Sequence, residues 1–354
     1  MSTPEHGYAG AEPMNALLDI SPGLAALAAE LIPWLSKVTH TFDGAIASDV
    51  DVVQDLSRHV QGMRGKMLRP TVVYLSGRAA RPDAPLQHEH VIVAAVVEMV
   101  HMATLVHDDV LDDSAQRRST ITVNRLHGNE PAVMLGDYLF ASAYALCSSL
   151  DTPRAARAVA RASRTLCEGE LLQLRTRGDW TLSEQTYRDM IDRKTAELIA
   201  VAAELGAAAS GASEPVVRAL ELYARLVGQA FQVQDDLLDL AGDAGTLGKP
   251  VGQDAANGKL TLPLIHHLRT ASGGQRTHTL AILAEVYAAG PTKVDAGAAA
   301  ALRDACDATG STDFARQWAQ NLVRDASAEL DRVPKSSARD ALRELAQAAI
   351  SRRA

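Results

Sequence analysis

Cysteine is scarce in this 354-residue chain. Cys147, Cys167 and Cys306 are an odd, scattered set, which excludes a disulfide framework and shows no zinc-ligand spacing, so a reducing compartment is expected. Aromatic residues reach only 4% and Val-rich runs are short, so the material of long β-strands is missing. An excess of positive charge is missing as well: a formal net charge of −8 excludes the broad basic face of a non-specific nucleic-acid binder. Residues 1–13 lack a charged-then-apolar secretion pattern, and no apolar run approaches the roughly 20 residues of a membrane span. The expectation is a cytoplasmic protein with no membrane span and no nucleic-acid partner.

What is present is apolar and helix-forming. Hydrophobic residues make up 47%, ample for a buried core, and Ala and Leu recur throughout, which favours close-packed helices. All-α is the expected class. Residues 1–20 read as a flexible extension and 21–354 as a single helical domain. Helical spacing is carried by 23–37, with Pro22 and Pro33 as punctuation, then by 51–63, 67–79, 88–113, 130–150, 152–176, 183–210 and 214–240. Shorter segments follow at 260–271, 277–289, 297–308, 312–331 and 336–352, with Gly, Pro and polar residues collecting in the breaks between.

Two of these helices are apolar stretches that end in an acidic cluster. The first is Asp108-Asp109-Val110-Leu111-Asp112, followed by Asp113; the second is Asp235-Asp236-Leu237-Leu238-Asp239. Positions i and i+4 share a helix face, so Asp108 projects with Asp112 and Asp235 with Asp239. Like charges so placed destabilise a helix, and a cation between them would relieve it. Carboxylates without Cys or His suit Mg²⁺, which takes one or two carboxylates and fills its shell with water and phosphate oxygens. One such cluster alone reads as a solvated helix end; two, with basic motifs nearby, read as a diphosphate site.

The basic motifs are Arg117-Arg118 just past the first cluster, and Lys66 and Arg69, three residues apart beside Gly65, which together suggest an anion pocket. His101 precedes Asp108 by seven residues, about two turns, and lies on the same stripe. Lys194-Thr195 and the segment from Gly248-Lys249-Pro250 to Gly258-Lys259 supply further cations, although Gly and Pro there suit a plain connector equally well.

With HDDVLDDSAQRRS, FQVQDDLLDLAGD, GKMLRP, DRKTA and GKPVGQD followed by GKLTLP, the chain closely resembles the trans-isoprenyl (polyprenyl) diphosphate synthase family over about 62–263. The resemblance implies a bundle of long antiparallel helices around a deep central cavity, usually a homodimer, with the aspartate motifs facing each other at its mouth. It implies that Asp108 and Asp112 hold two Mg²⁺ and Asp235 a third, with Asp239 assisting. Arg117, Lys194, Lys249 and Lys259 would grip the allylic diphosphate (dimethylallyl, geranyl or farnesyl). Lys66, Arg69, His101 and Arg118 would bind isopentenyl diphosphate, and Thr195 and Gln232 would face the reacting carbons. Three residues depart from the pattern: Arg64 where a second Gly is usual, Met67 where a basic residue is common, and Ser119 where Gly follows the Arg pair. They bear on the isopentenyl pocket rather than on the reaction.

The implied reaction ionises the allylic C–O bond, lets the isopentenyl double bond attack the cation, and returns a proton to the departing diphosphate. It needs no nucleophilic side chain, and no elbow or triad pattern occurs in the sequence. Product length would follow from the cavity beneath Asp108, where Ala103 and Thr104 are small in a place that short-chain members fill with an aromatic residue. Val97, Val100, Leu139, Phe140 and Tyr144 are candidates for a deeper floor, and the expected product is longer than farnesyl, in the hexaprenyl-to-decaprenyl range. Alternatives are a farnesyl or geranylgeranyl synthase, a class I terpene cyclase, a non-catalytic subunit of a heteromeric synthase, and a generic anion-binding helical protein. The second aspartate cluster disfavours the cyclase, and two intact motifs disfavour the non-catalytic subunit.

Overall fold

The computed structural model describes residues 20–117, 120–241, 252–291 and 295–351. The extension expected over 1–20 lies outside them except for its last residue. Among the described residues the chain is all-α, apart from a two-residue antiparallel ladder pairing β1 (Gln116–Arg117) with β2 (Thr120–Ile121). The helices are α1 (Pro22–Ala26), α2 (Ala28–Ala45), α3 (Asp51–Gly62), α4 (Leu68–Ala80), α5 (His88–Leu111), α6 (Val123–His127), α7 (Asn129–Cys147), α8 (Arg154–Arg175) and α9 (Glu184–Ile191). After a π-helical turn at Asp192–Ala196 come α10 (Glu197–Ala209), α11 (Glu214–Ala241), α12 (Gln253–Ala256), α13 (Leu262–Thr270), α14 (Gly273–Ala289), α15 (Ala296–Ala308), α16 (Ser311–Glu329) and α17 (Ser337–Ser351).

The chain divides into two compact units. The first comprises Met1–Ser163, Val201–Glu221 and Leu330–Leu345. Its centre is α5, in which every residue from 91 to 100 is buried, and which packs against α2, α4 and α7. A helix apolar on all faces must be enclosed, and this one is. By length and composition alone α5 could cross a membrane, contrary to the sequence expectation, but most of it is buried in the protein core. Its entrance is capped by reciprocal bonds between Gln87 and His90.

The second unit comprises Arg164–Ala200, Leu222–Glu329 and Ala346–Ala354. Here α13 is central, touching α9, α14, α15 and α16, and its core gathers Leu182, Tyr187, Val233, Leu262, Leu283 and Leu302. Gly178 and Gly258 both take left-handed φ angles, +73° and +71°, and Gly178 N–H donates to the Gly258 carbonyl at 2.8 Å. A Cβ on Gly258 would stand 2.7 Å from the Tyr287 ring, so only glycine lets these two turns meet.

The expected helices are present, with ends shifted by a few residues. Pro33 does not end its helix: α2 runs on to Ala45, because Leu31, Trp34, Leu35, Val38 and Phe42 form one buried stripe whose packing outweighs the lost hydrogen bond. The continuous helix expected over 183–210 is interrupted by the π-turn, and the ladder and α6 occupy what read as a connector.

Candidate active site

In the first unit, α5 carries Asp108 at its last turn and Asp112 as its C-cap, where the Asp112 N–H donates to the Asp108 carbonyl at 2.8 Å. Both side chains are half-buried. Asp113 then takes a left-handed φ of +47° and turns the chain toward β1. Between the two proposed ligands Asp109 is buried, and Arg117 forks onto it: Nε lies 3.0 and 3.1 Å from the carboxylate oxygens, and Nη2 lies 2.7 Å from Oδ1. Burial pushes the Asp109 carboxyl up, Arg117 offsets part of that, and the Asp112 charge adds to it. Arg117, expected on the allylic diphosphate, is therefore seen engaged with Asp109, an ion pair the helical spacing did not suggest.

Lys66 is exposed, and Arg69 and His101 are half-buried. Met67 is buried in a left-handed conformation, φ +53°, at the start of α4. The non-glycine residues with positive φ among those described are thus Met67 and Asp113, one in each motif of this unit, where backbone strain is the usual companion of function. Arg64 has a structural partner: it pairs with Asp43 and lies 4.5 Å over the Phe42 ring, tying the motif to α2. Val97, Val100, Ala103 and Leu139 are fully buried, and the Thr104 hydroxyl donates back to the His101 carbonyl at 2.8 Å. Tyr144 does not belong with the floor candidates, since it is exposed on the opposite side of α7 from Leu139 and Ala143.

In the second unit, Lys194, Thr195, Gln232 and Lys259, taken from three separate sequence motifs, line one cavity of about 140 Å³ together with Tyr187, Asp236 and Asp254. The π-turn carries Lys194 and Thr195. It is clasped by α11, where Arg225 donates to Asp192 at 2.9 Å and to Glu197 at 2.5 Å, straddling the wide turn, and Gln229 donates to Asp192 at 2.8 Å. A Cβ on Gly228 would stand 2.7 Å from the Ala196 Cα, and one on Gly169 would stand 2.9 Å from the Lys194 nitrogen, so glycine on both sides admits the bulged backbone. Lys194 pairs with Glu170 of α8.

Asp235 is half-buried on α11. Asp239 is engaged with the following segment, its two oxygens accepting the N–H groups of Gln253 at 3.2 Å and Asp254 at 2.9 Å. This holds Lys259 in place, because its N–H donates to the Asp254 carbonyl at 2.8 Å. Asp236 accepts from Tyr187 and Gln232. Burial pushes its carboxyl well above the usual range, Asp254 adds to the rise, and the two donors pull against it. Burial and Asp236 together raise the Tyr187 phenol, so it keeps its proton at neutral pH. Arg118, Ser119 and Lys249 lie outside the described residues.

Among the described residues no group of three or more His, Cys, Asp or Glu is gathered closely enough to hold a metal on its own. The clusters themselves offer hard carboxylate oxygens only, a donor set that fits Mg²⁺ held jointly by one or two carboxylates and phosphate oxygens. Tyr187, Glu170 and Arg225 were not legible as site residues, since each acts through a partner distant in sequence.

The profile of the polyprenyl synthetase family matches residues 50–299. The chain is 35% identical to heptaprenyl diphosphate synthase component 2 of Geobacillus stearothermophilus over 312 residues, 88% of this chain and 93% of that one. It is 34% identical to octaprenyl diphosphate synthase of Escherichia coli over 311 residues, 86% and 91% of the two chains. Its structure is similar to that of a polyprenyl synthase from Caulobacter crescentus complexed with calcium and isoprenyl diphosphate, with TM-score 0.83, 33% identity, and coverage of 96% of this chain and 98% of that one.

Proposed function

The chain belongs to the polyprenyl synthetase family, and from that premise we propose that it is a Mg²⁺-dependent prenyltransferase that joins isopentenyl diphosphate head to tail to an allylic diphosphate, making trans-polyprenyl diphosphates longer than farnesyl. The observation that carries this reading is the convergence of Lys194, Thr195, Gln232 and Lys259 on one cavity. Two ammonium groups, an amide and a hydroxyl around a small chamber suit an anionic leaving group and an apolar reacting carbon.

Asp108 and Asp112 are assigned two Mg²⁺ and Asp235 a third; Asp239 assists by fixing the segment that carries Lys259. The bound metal supplies neutralisation of the negative charge that develops as the C–O bond ionises. Lys194, Lys259, Arg117 and Lys249 grip the allylic diphosphate, with Lys194 exchanging Glu170 for phosphate. Lys66, Arg69, His101 and Arg118 bind isopentenyl diphosphate. Thr195 and Gln232 face the reacting carbons, the isopentenyl double bond attacks the cation, and the released diphosphate takes the proton, so the protein need supply neither nucleophile nor base. Small side chains at Ala103 and Thr104, the latter with its hydroxyl turned into its own helix, leave an apolar path for a long tail beside Val100.

The test is incubation of purified protein with isopentenyl diphosphate, Mg²⁺ and dimethylallyl, geranyl or farnesyl diphosphate in turn, with products sized by mass spectrometry. Linear products beyond farnesyl are expected; cyclised hydrocarbons, or no extension of any primer, would refute the reading.

The purified chain is further proposed to be a cytoplasmic homodimer, with the exposed Val133, Met134 and Tyr144 of α7 as support for self-association. One relative is named as component 2 of its enzyme, which favours a second reading in which a different chain completes the synthase. Full activity of this chain alone decides for the homodimer.

A further inference from the structure

Four side chains at one wall of the cavity form a hydrogen-bond chain whose donors all point toward Asp236. The Tyr187 hydroxyl donates to Asp236 Oδ2 at 2.6 Å, Gln232 Nε2 donates to Asp236 Oδ1 at 2.9 Å, and Thr195 Oγ1 donates to Gln232 Oε1 at 2.7 Å. Tyr187 and Asp236 are only 2% and 5% exposed, so water does not compete for these bonds. With Tyr187 donating to one Asp236 oxygen, the other is left to accept, so the amide facing it presents its NH₂ group and turns its carbonyl away. That carbonyl meets Thr195 and can only accept in turn. The Thr195 proton is thereby committed to Gln232, and the lone pairs of its oxygen are what the cavity meets.

We propose that Tyr187 is a positioning residue: by pinning Asp236 it sets the sense of this chain, so that Thr195 offers the reacting carbons an oxygen acceptor and not a proton donor. The inference rests on the assignment of Thr195 to those carbons. An acceptor fixed beside a carbon that gains positive charge favours the ionised state over the bound ester and needs no reorientation when the bond breaks. A hydroxyl turned the other way would aim its positive end at the cation. Without the phenol, Asp236 Oδ2 loses its donor, the carboxyl group is free to turn, and Gln232 loses the fixed acceptor that sets which end of its amide faces Thr195.

Tyr187→Phe removes one hydroxyl and keeps the ring, which lies 6.5 Å from Trp318 in the core of the second unit. The expected result is a fall in kcat of about tenfold or more, with KM for both diphosphates and the half-saturating Mg²⁺ concentration changed by less than about twofold. Thr195→Val and the double variant are measured beside it. Because Tyr187 acts through Thr195, the double variant should be no slower than Thr195→Val alone. Wild-type kcat in Tyr187→Phe, a loss expressed in KM or in Mg²⁺ demand, or losses that multiply in the double variant would each overturn the inference. Wild-type kcat in Thr195→Val sinks instead the assignment of Thr195 to the reacting carbons. Should Tyr187→Phe fail to fold, Asp236→Asn takes its place, since an amide there can offer NH₂ to Gln232 and release the sense of the chain. The same coupling to Thr195→Val is expected, and independent losses would count against the role of Tyr187.

Discussion

His90 shows how much one buried side chain can decide. Its Nδ1 accepts the Gln87 N–H at 2.9 Å, so the proton sits on Nε2, which lies 2.9 Å from Ser210 Oγ; Ser210 in turn donates to the Gly77 carbonyl at 2.9 Å. A charged ring would break the first bond, and burial lowers its pKa from 6.5 to about 4. Between those two values the unfolded chain binds a proton that the folded chain refuses, so stability is whole above pH 6.5 and falls as the pH drops toward 4. The loss across that window is about 3 kcal/mol. Urea unfolding at several pH values, in the wild type and in His90→Gln, should show a steeper acid loss in the wild type; parallel curves would mean that His90 is not the group responsible. At Ala103, fully buried on the same helix, the expected effect is on product and not on pH. Ala103→Phe overfills the wall at about 1–3 kcal/mol and should shift the product distribution toward shorter chains in mass spectra, while the first condensation continues. An unchanged distribution would place the tail elsewhere.

At the scale of elements, the π-turn tests whether the placement of Lys194 and Thr195 depends on their neighbours. Gly228→Ala drives a methyl to 2.7 Å from the Ala196 Cα, and backbone cannot yield as a flexible side chain does. A loss of about 1–3 kcal/mol in thermal unfolding is expected, together with a larger proportional fall in kcat than Gly274→Ala produces. Gly274 meets nothing within 4 Å in the first turn of α14, so alanine there should stabilise by about 0.4–1 kcal/mol and leave activity intact. Equal kcat in the two variants would show that the turn need not hold its bulge. This element also marks where the sequence was readable. Apolar spacing located the long helices because the period of 3.6 is local, and the charge clusters at their ends stood out for the same reason. The π-turn was not legible, since what stabilises it, Arg225 and Gly228, lies some 30 residues downstream in sequence. The engagement of Asp239 with the 252–254 backbone was hidden likewise, because a DDxxD pattern cannot say which of its carboxylates will be claimed by a later turn.

At the scale of the whole molecule, one apolar surface has no partner among the described residues. Along α7, Leu135, Leu139, Ala143 and Cys147 are buried, as helical spacing requires of a helix packed on α5. Its other face exposes Val133, Met134, Ala141 and Tyr144 around the acidic Asp137, with Met134 the most open at 64%. Leu126 and Ile121 are exposed in the elements just before it. Single exposed apolar residues need no explanation, but several gathered on one helix face, even with Asp137 among them, mark an association surface. Two copies of such a face related by a twofold axis are self-complementary, each residue meeting its counterpart region on the other chain. Asp137 on this face lies 3.6 Å from His107, but a second carboxylate buried in the contact would lack a partner and cost several kcal/mol, whereas on a free surface it costs almost nothing. Met134→Asp should therefore leave the circular dichroism and thermal midpoint of the isolated subunit close to normal while halving the mass seen by light scattering, from twice 37.6 kDa to a single chain. A wild type already monomeric at assay concentration, or a variant that stays dimeric, would assign this face to some other partner and return attention to the two-component reading.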